Sequence, residues 1–273
     1  MKQLAKPTLM IFGLLGSLLV LNLILPIVNL LGHANWSTWL TALGEAGAVK
    51  ALRISATTSA VAIIIATVFG VPLGYLLARG RLPLQRLWMG LIFLPMVVPG
   101  LAGGILLLLT YGPHGLIGGP LDRWAIELTN NMAGIVLAQL FVSAPFVIVS
   151  AYAGFAAVDA KLEFAAATLG DSRWDIFRRI SLPLAWPGIA AGITLAWIRA
   201  LGEFGATLVI AYNPHTVPVY LWVKFESEGL NGALPVAFLL VVLAMTAVTI
   251  SMLLNQLTGY AAPSGRGNSS MAS

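Results

Sequence analysis

Among its 273 residues the sequence has no cysteine. Disulfides and thiolate metal sites are therefore excluded. Charge is the second scarcity: 9% of residues are charged, against 59% hydrophobic. A soluble domain carries about 25% charged residues, so this deficit by itself places the chain in a lipid bilayer. Histidine is sparse too. His33, His114 and His215 fall in separate loops, too dispersed to hold a metal. Two patterns are also missing. Without a G-x-x-x-x-G-K-[ST] the chain has no P-loop with which to hydrolyse ATP. Without a G-x-S-x-G, or a cluster of acids or histidines in its apolar runs, it does not read as an intramembrane enzyme.

Long apolar runs dominate what is present. Six segments, about 8–31, 54–78, 87–111, 132–155, 185–211 and 233–257, are each long enough to cross a hydrocarbon core of about 30 Å. The first is too long for a signal h-region and reads as an uncleaved span. The net charge of +5 is scattered through short loops, a mark of topology and not of nucleic-acid binding. Lys2 and Lys6, then Arg79, Arg81 and Arg86, then Lys161, Arg173, Arg178 and Arg179 occupy alternate gaps. The positive-inside rule therefore puts both termini and the loop at about 156–183 in the cytosol. Residues 1–262 read as one transmembrane domain, and the small polar tail 263–273 as disordered. On the outer side, 37–50 suits a short interfacial helix, and YGPHGLIGGPLDRW from Tyr111 a turn with a short helix start.

The loop at 156–183 gathers charge that the rest of the chain avoids. Asp159 to Leu169 is alanine-rich and helix-forming, and Gly170 suits the position just past a helix end. Asp171 or Ser172 is placed to cap a second helix, with Asp175 in capping-box register to Ser172. That helix sets Trp174, Phe177 and Ile180 at helical spacing, and Pro183 is expected to end it. Two short helices meeting at a glycine fit a groove on another protein. Four acidic residues balance four basic ones here, which suits protein docking better than anionic lipid.

This loop resembles the coupling motif of ABC-importer permeases, Glu-Ala-Ala, three residues, Gly, nine residues, Ile-x-Leu-Pro. Gly170, Ile180, Leu182 and Pro183 match its second half, and Ala165 and Ala166 its alanines. Phe164 stands where the motif has glutamate, with Glu163 one place early. RALGEFGATLVIAYNPHTVPVYLWVKFESEGLNGALPVAF from Arg199, VFGVPLGYLLARGRLP from Val68 and LPMVVPGLAGGILLLL from Leu94 are similar to molybdate and tungstate permeases. The likeness spans about residues 52–257. It implies an all-α permease fold with six transmembrane helices, working as a homodimer by alternating access. It also implies two cytosolic ATPase subunits carrying ATP and Mg, an external binding protein that delivers the oxyanion, and no cofactor in this chain. Glu163, Ala165, Ala166, Gly170, Asp171, Arg173, Trp174 and Phe177 would then couple it to the ATPases. Sulfate or thiosulfate permeases resemble the same stretches, and a stand-alone ion-coupled carrier is the rival from another class.

Within the spans Arg199 and Glu203 sit four apart on one helix face, where they can pair. They read either as a structural ion pair or as part of a pathway. Pro95 and Pro99, among Gly100, Gly103 and Gly104, suit either close packing or a flexible gate. Ser143 and Thr207 are hydroxyl candidates for a pathway, and Glu226 and Glu228 for contact with the delivery protein or for plain solvation.

Overall fold

The computed structural model describes the backbone of residues 6–257 and the side chains of residues 10–253. The tail proposed for 263–273 lies outside the described residues. Every element among the described residues is helical: α1 (Lys6–Gly32), α2 (Trp36–Leu43), α3 (Ala46–Ala78), α4 (Gln85–Val97), α5 (Gly100–Tyr111) and α6 (Gly118–Asp122). Then follow α7 (Met132–Ala156), α8 (Ala160–Thr168), α9 (Arg173–Ile176), a π turn (Phe177–Ser181), α10 (Leu182–Leu201), α11 (Gly205–Ile210) and α12 (Val217–Leu257). In lipid the backbone must satisfy itself, and an uninterrupted helix does so within one segment.

Five helices are long and apolar enough to cross a membrane, and α4 with α5 make a sixth candidate bent by 115°. Packing shows that this bent pair does carry the chain across. At one end Tyr75 of α3 meets Phe155 of α7, with ring centroids 5.1 Å apart. Toward the other end Ile54 of α3 clusters with Ile135 and Ala138 of α7. The two long helices are therefore parallel, and the chain between them must return across the bundle. Gln85 of α4 donates to the Leu77 carbonyl at the first end, 2.9 Å away, while Leu107 of α5 joins the cluster of Ile54 at the other. An elbow at Val98 and Pro99 joins two half-crossings.

The third crossing is thus broken rather than the single kinked helix expected over 87–111. Val98 is extended at ψ 124° and Pro99 at ψ 143°, because a residue before proline is pushed out of the helical region. The fifth crossing also differs from a continuous 185–211. α10 stops at Leu201, Gly202 to Phe204 break the ladder, and α11 completes the climb. Nor does Pro183 end the preceding helix. The π turn widens the helix over Phe177–Ser181, and proline enters the first turn of α10, where its missing N–H costs nothing. α3 begins at Ala46, earlier than expected, and its 33 residues reach about 50 Å, well beyond the hydrocarbon core.

α7 lies centrally, with α3 and α10 against it. The main core combines Ile63, Tyr75, Val147, Phe155 and Ile189 with many alanines, since small residues let membrane helices approach closely. α5 packs on α11 the same way: a Cβ at Gly104 would lie 2.7 Å from Val209 Cβ, so only glycine fits there. At the far end α2 docks through Trp36 and Trp39 on Phe238 of α12, with centroid distances of 5.5 and 5.4 Å. α12 is broken at Gly229, whose φ of 68° and ψ of −155° suit glycine alone. By contrast α1 has no buried side chain among the described residues 10–32, and it approaches the rest of the chain at α12.

Candidate functional site

The charged loop forms a protrusion built from α8, a turn and α9. Asp159 caps α8 by accepting from the Lys161 N–H at 2.9 Å. Gly170 turns the chain with φ +96°, as a glycine past a helix end does. Of the two capping candidates it is Ser172 that caps α9. Its Oγ accepts from the Asp175 N–H at 3.2 Å and donates to the Asp175 carboxylate at 2.5 Å. The amphipathic spacing then divides the eight candidates between two faces. Ala165, Gly170, Asp171, Arg173 and Trp174 are exposed, whereas Glu163, Ala166 and Phe177 turn inward. Phe177 meets Tyr75 at 5.0 Å and Phe155 at 6.0 Å, which anchors the protrusion in the main core. Trp174 stacks on Phe177 at 5.6 Å yet stays 65% exposed. Leu169 and Phe164, neither of them among the eight coupling candidates, are the most exposed apolar residues of this face at 87% and 73%.

Glu163 makes the decisive contact. Its Oε1 accepts from Arg79 Nε at 3.0 Å and Nη2 at 2.6 Å, and from Ser181 Oγ at 2.5 Å. One carboxylate oxygen therefore joins α8 to the end of α3 and to the π turn. Arg79 entered the sequence reading only as a topological charge, because 84 residues separate it from Glu163. Beside this contact a pocket of about 290 Å³ is lined by Tyr75, Arg81 and Arg173, with the Arg81 guanidinium 5.6 Å from the centre of the Tyr75 ring.

Inside the bundle Arg199 and Glu203 do pair, with Nη1 2.6 Å from Oε2. They do not share a regular helix, since Glu203 lies in the break after α10. Its second oxygen accepts from the Ala206 N–H at 2.7 Å and so starts α11. Glu203 is 2% exposed and Arg199 38%, so the carboxylate depends on the pair more than the guanidinium does. Thr207 on α11 and Gln139 and Ser143 on α7 are all wholly buried, and each has an oxygen without a partner among the described residues. The Asn130 N–H donates to the Ile210 carbonyl at 3.0 Å, tying the start of α7 to α11. Pro95 lines an apolar crevice of about 270 Å³ in the elbow, opposite Pro145, and Pro99 forms the elbow itself.

At the far end Lys224 pairs with Glu45 at 3.0 Å and with Glu228 at 2.7 Å, so Glu228 is engaged within the chain. The Lys224 hydrogen bond holds the Glu45 carboxyl below the usual range. Burial, with Lys50 nearby, pushes the His215 imidazole down.

A multi-crossing helical bundle with a paired-helix protrusion braced to its core defines the membrane subunit of a transporter. The chain belongs to the binding-protein-dependent transport system inner membrane component family, whose pattern matches residues 70–263. It is a translocation subunit of an ABC-type importer, multi-pass in the inner membrane, and not an enzyme. It is 41% identical over 237 residues to a probable molybdenum ABC transporter permease protein of Haloferax volcanii, covering 87% of each chain. To the molybdate/tungstate transport system permease protein WtpB of Thermococcus kodakarensis it is 39% identical, over 87% of this chain and 92% of that one. The sulfate transport system permease protein CysW of Synechocystis is 28% identical over 89% and 90%. Among solved structures, a chain of a bacterial alginate ABC transporter in complex with a pentasaccharide-bound periplasmic protein superposes with TM-score 0.67. That match covers 93% of this chain and 96% of that one at 17% identity, a likeness of fold alone.

Proposed function

We propose that this subunit imports tetrahedral oxyanions of the molybdate and tungstate kind, as a homodimer with two ATPase subunits and an external binding protein. The identity gradient supports the substrate: 41% and 39% to the molybdenum and tungsten relatives, 28% to the sulfate one. The pathway runs between the two copies and opens alternately to each side. The protrusion and both termini face the cytosol, where the Lys/Arg-rich gaps lie. The exposed residues Ala165, Gly170, Asp171, Arg173 and Trp174, with Phe164 and Leu169, meet the ATPase.

The observation that carries the transport mode is the Arg199–Glu203 pair. The one cation within the fifth crossing is already matched at 2.6 Å, so it has little charge to spare for a dianion. A pathway of hydroxyls, small residues and backbone binds weakly and releases fast, and the external protein sets selectivity. Ser143 and Thr207, buried with hydroxyls that have no partner among the described residues, join the pathway when α11 shifts on α7. Pro95 and Pro99 supply the bend against which α5 and α11 move together. In vesicles with ATP inside, molybdate or tungstate uptake is expected to require both the ATPase and the binding protein. Sulfate should compete poorly. Strong sulfate uptake that excess tungstate leaves untouched would transfer the assignment to sulfate, and uptake without the ATPase would reject the importer.

A further inference from the structure

We propose that Arg79, Glu163 and Ser181 form a brace that transmits movement of α8 to α3 and α10, with Arg79 as its positioning residue. This rests on the importer reading above. α8 has nine residues, and its backbone packs on α9 and the π turn. Its one buried residue is Ala166. What links it to α3 is the Arg79 guanidinium, which sends two N–H groups to one carboxylate oxygen at 3.0 and 2.6 Å and a third contact to the Val158 carbonyl at 3.5 Å. The side chains of Arg79 and Glu163 are 11% and 13% exposed, so water competes little. Ser181 closes the third side from the last position of the π turn, where it is fully buried.

The placement of the glutamate follows from helix geometry. Successive side chains on a helix differ by about 100°. With Phe164 in the motif's glutamate position, that site faces outward, 73% exposed, and Glu163 rotates in toward Arg79. A push on Phe164, Leu169 or Trp174 from outside therefore reaches α3 through a charge-assisted fork and α10 through a hydroxyl. Lysine cannot supply the fork.

The test uses the full complex in vesicles, with ATP hydrolysis measured with and without binding protein loaded with molybdate. Arg79→Met is expected to assemble and to keep the unstimulated rate, while stimulation by the loaded binding protein falls about tenfold, a typical coupling loss. Arg79→Lys should fall between, and Arg79→Glu with Glu163→Arg should recover part. Unchanged stimulation in Arg79→Met at equal assembly would overturn the brace. Should Arg79→Met fail to assemble, full stimulation in both Arg79→Lys and Glu163→Gln would overturn it equally. Failure of the substrate reading has a separate signature: wild-type stimulation by sulfate-loaded but not molybdate-loaded binding protein. In that case the brace is read with sulfate.

Discussion

At Gly170 a φ of +96° leaves no comfortable place for a side chain, although the space around it is open. Strain, not collision, is therefore what a substitution introduces, about 1–3 kcal/mol. Gly170→Val should insert and fold normally yet lower uptake per transporter, as counted by quantitative blotting of vesicles. Wild-type uptake would show that the turn carries no signal. Arg199→Met leaves a carboxylate at 2% exposure without its cation. Because Arg199 is itself 38% exposed, the lower end of the range for broken buried pairs applies, about 3 kcal/mol. Thermal melting in detergent should show the drop, and adding Glu203→Gln should restore part of it. Intact folding with lost uptake would make Arg199 a pathway residue instead. This pair was legible in the sequence because four residues make one helical turn. The Arg79 contact was not, because no local rule pairs residues 84 apart. Nor did composition tell which of Glu163 and Phe164 turns inward; that depends on the rotation of α8 against α3.

Among elements, the contact of α5 with α11 is the tightest test of packing. A side chain at Gly104 meets Val209 Cβ at 2.7 Å and the Ala206 carbonyl at 2.9 Å, and backbone has nowhere to go. Gly104→Leu should cost at least the usual 1–3 kcal/mol of overpacking and lower the melting midpoint. Gly90→Ala, in the middle of α4 with nothing within 4 Å, serves as the control and should leave the midpoint unchanged or raise it. Equal midpoints would mean that α5 and α11 separate freely. At the far end, Glu45 joins α2's connection to α12 through Lys224. A carboxyl held below its ordinary value contributes stability above that value and loses it as pH falls through the folded one. The melting difference between wild type and Glu45→Gln should be present at neutral pH and shrink as pH falls below the ordinary carboxylate range. A difference independent of pH would reject the ionic clasp. Periodicity and length announced these elements, but they placed the breaks poorly. A proline in an apolar run predicts a bend; whether it becomes an elbow, as at Pro99, or passes unnoticed, as at Pro183, depends on the neighbours that take up the freed backbone groups.

With the elbow counted as one, the described residues hold six crossings, an even number. Single cysteines at Ser172 and Asn231 should react from opposite sides of sealed vesicles. Labelling of both from one side would break the six-crossing arrangement. Apolar surface is abundant: α1 shows Met10, Leu14, Leu18 and Leu25 to the outside, each more than half exposed. Such a face suits lipid as it stands, and the core clusters of the described residues take nothing from α1. Composition and the length of the apolar runs made the membrane and the crossings readable. The order of packing was not readable, since alanine and glycine fit many partners equally well.

The elbow also sets a timetable for synthesis. Its second half leans on α11, which leaves the ribosome about a hundred residues later, roughly 5–20 seconds at ordinary rates of translation. Until then the half-crossing from Gly100 to Tyr111, 12 residues long, has neither the length to hold itself in the bilayer nor the surface it was shaped against. The nascent chain must therefore keep a provisional third passage, sheltered by the insertion machinery or by α7, and settle it only when Gly205 and Ala206 arrive.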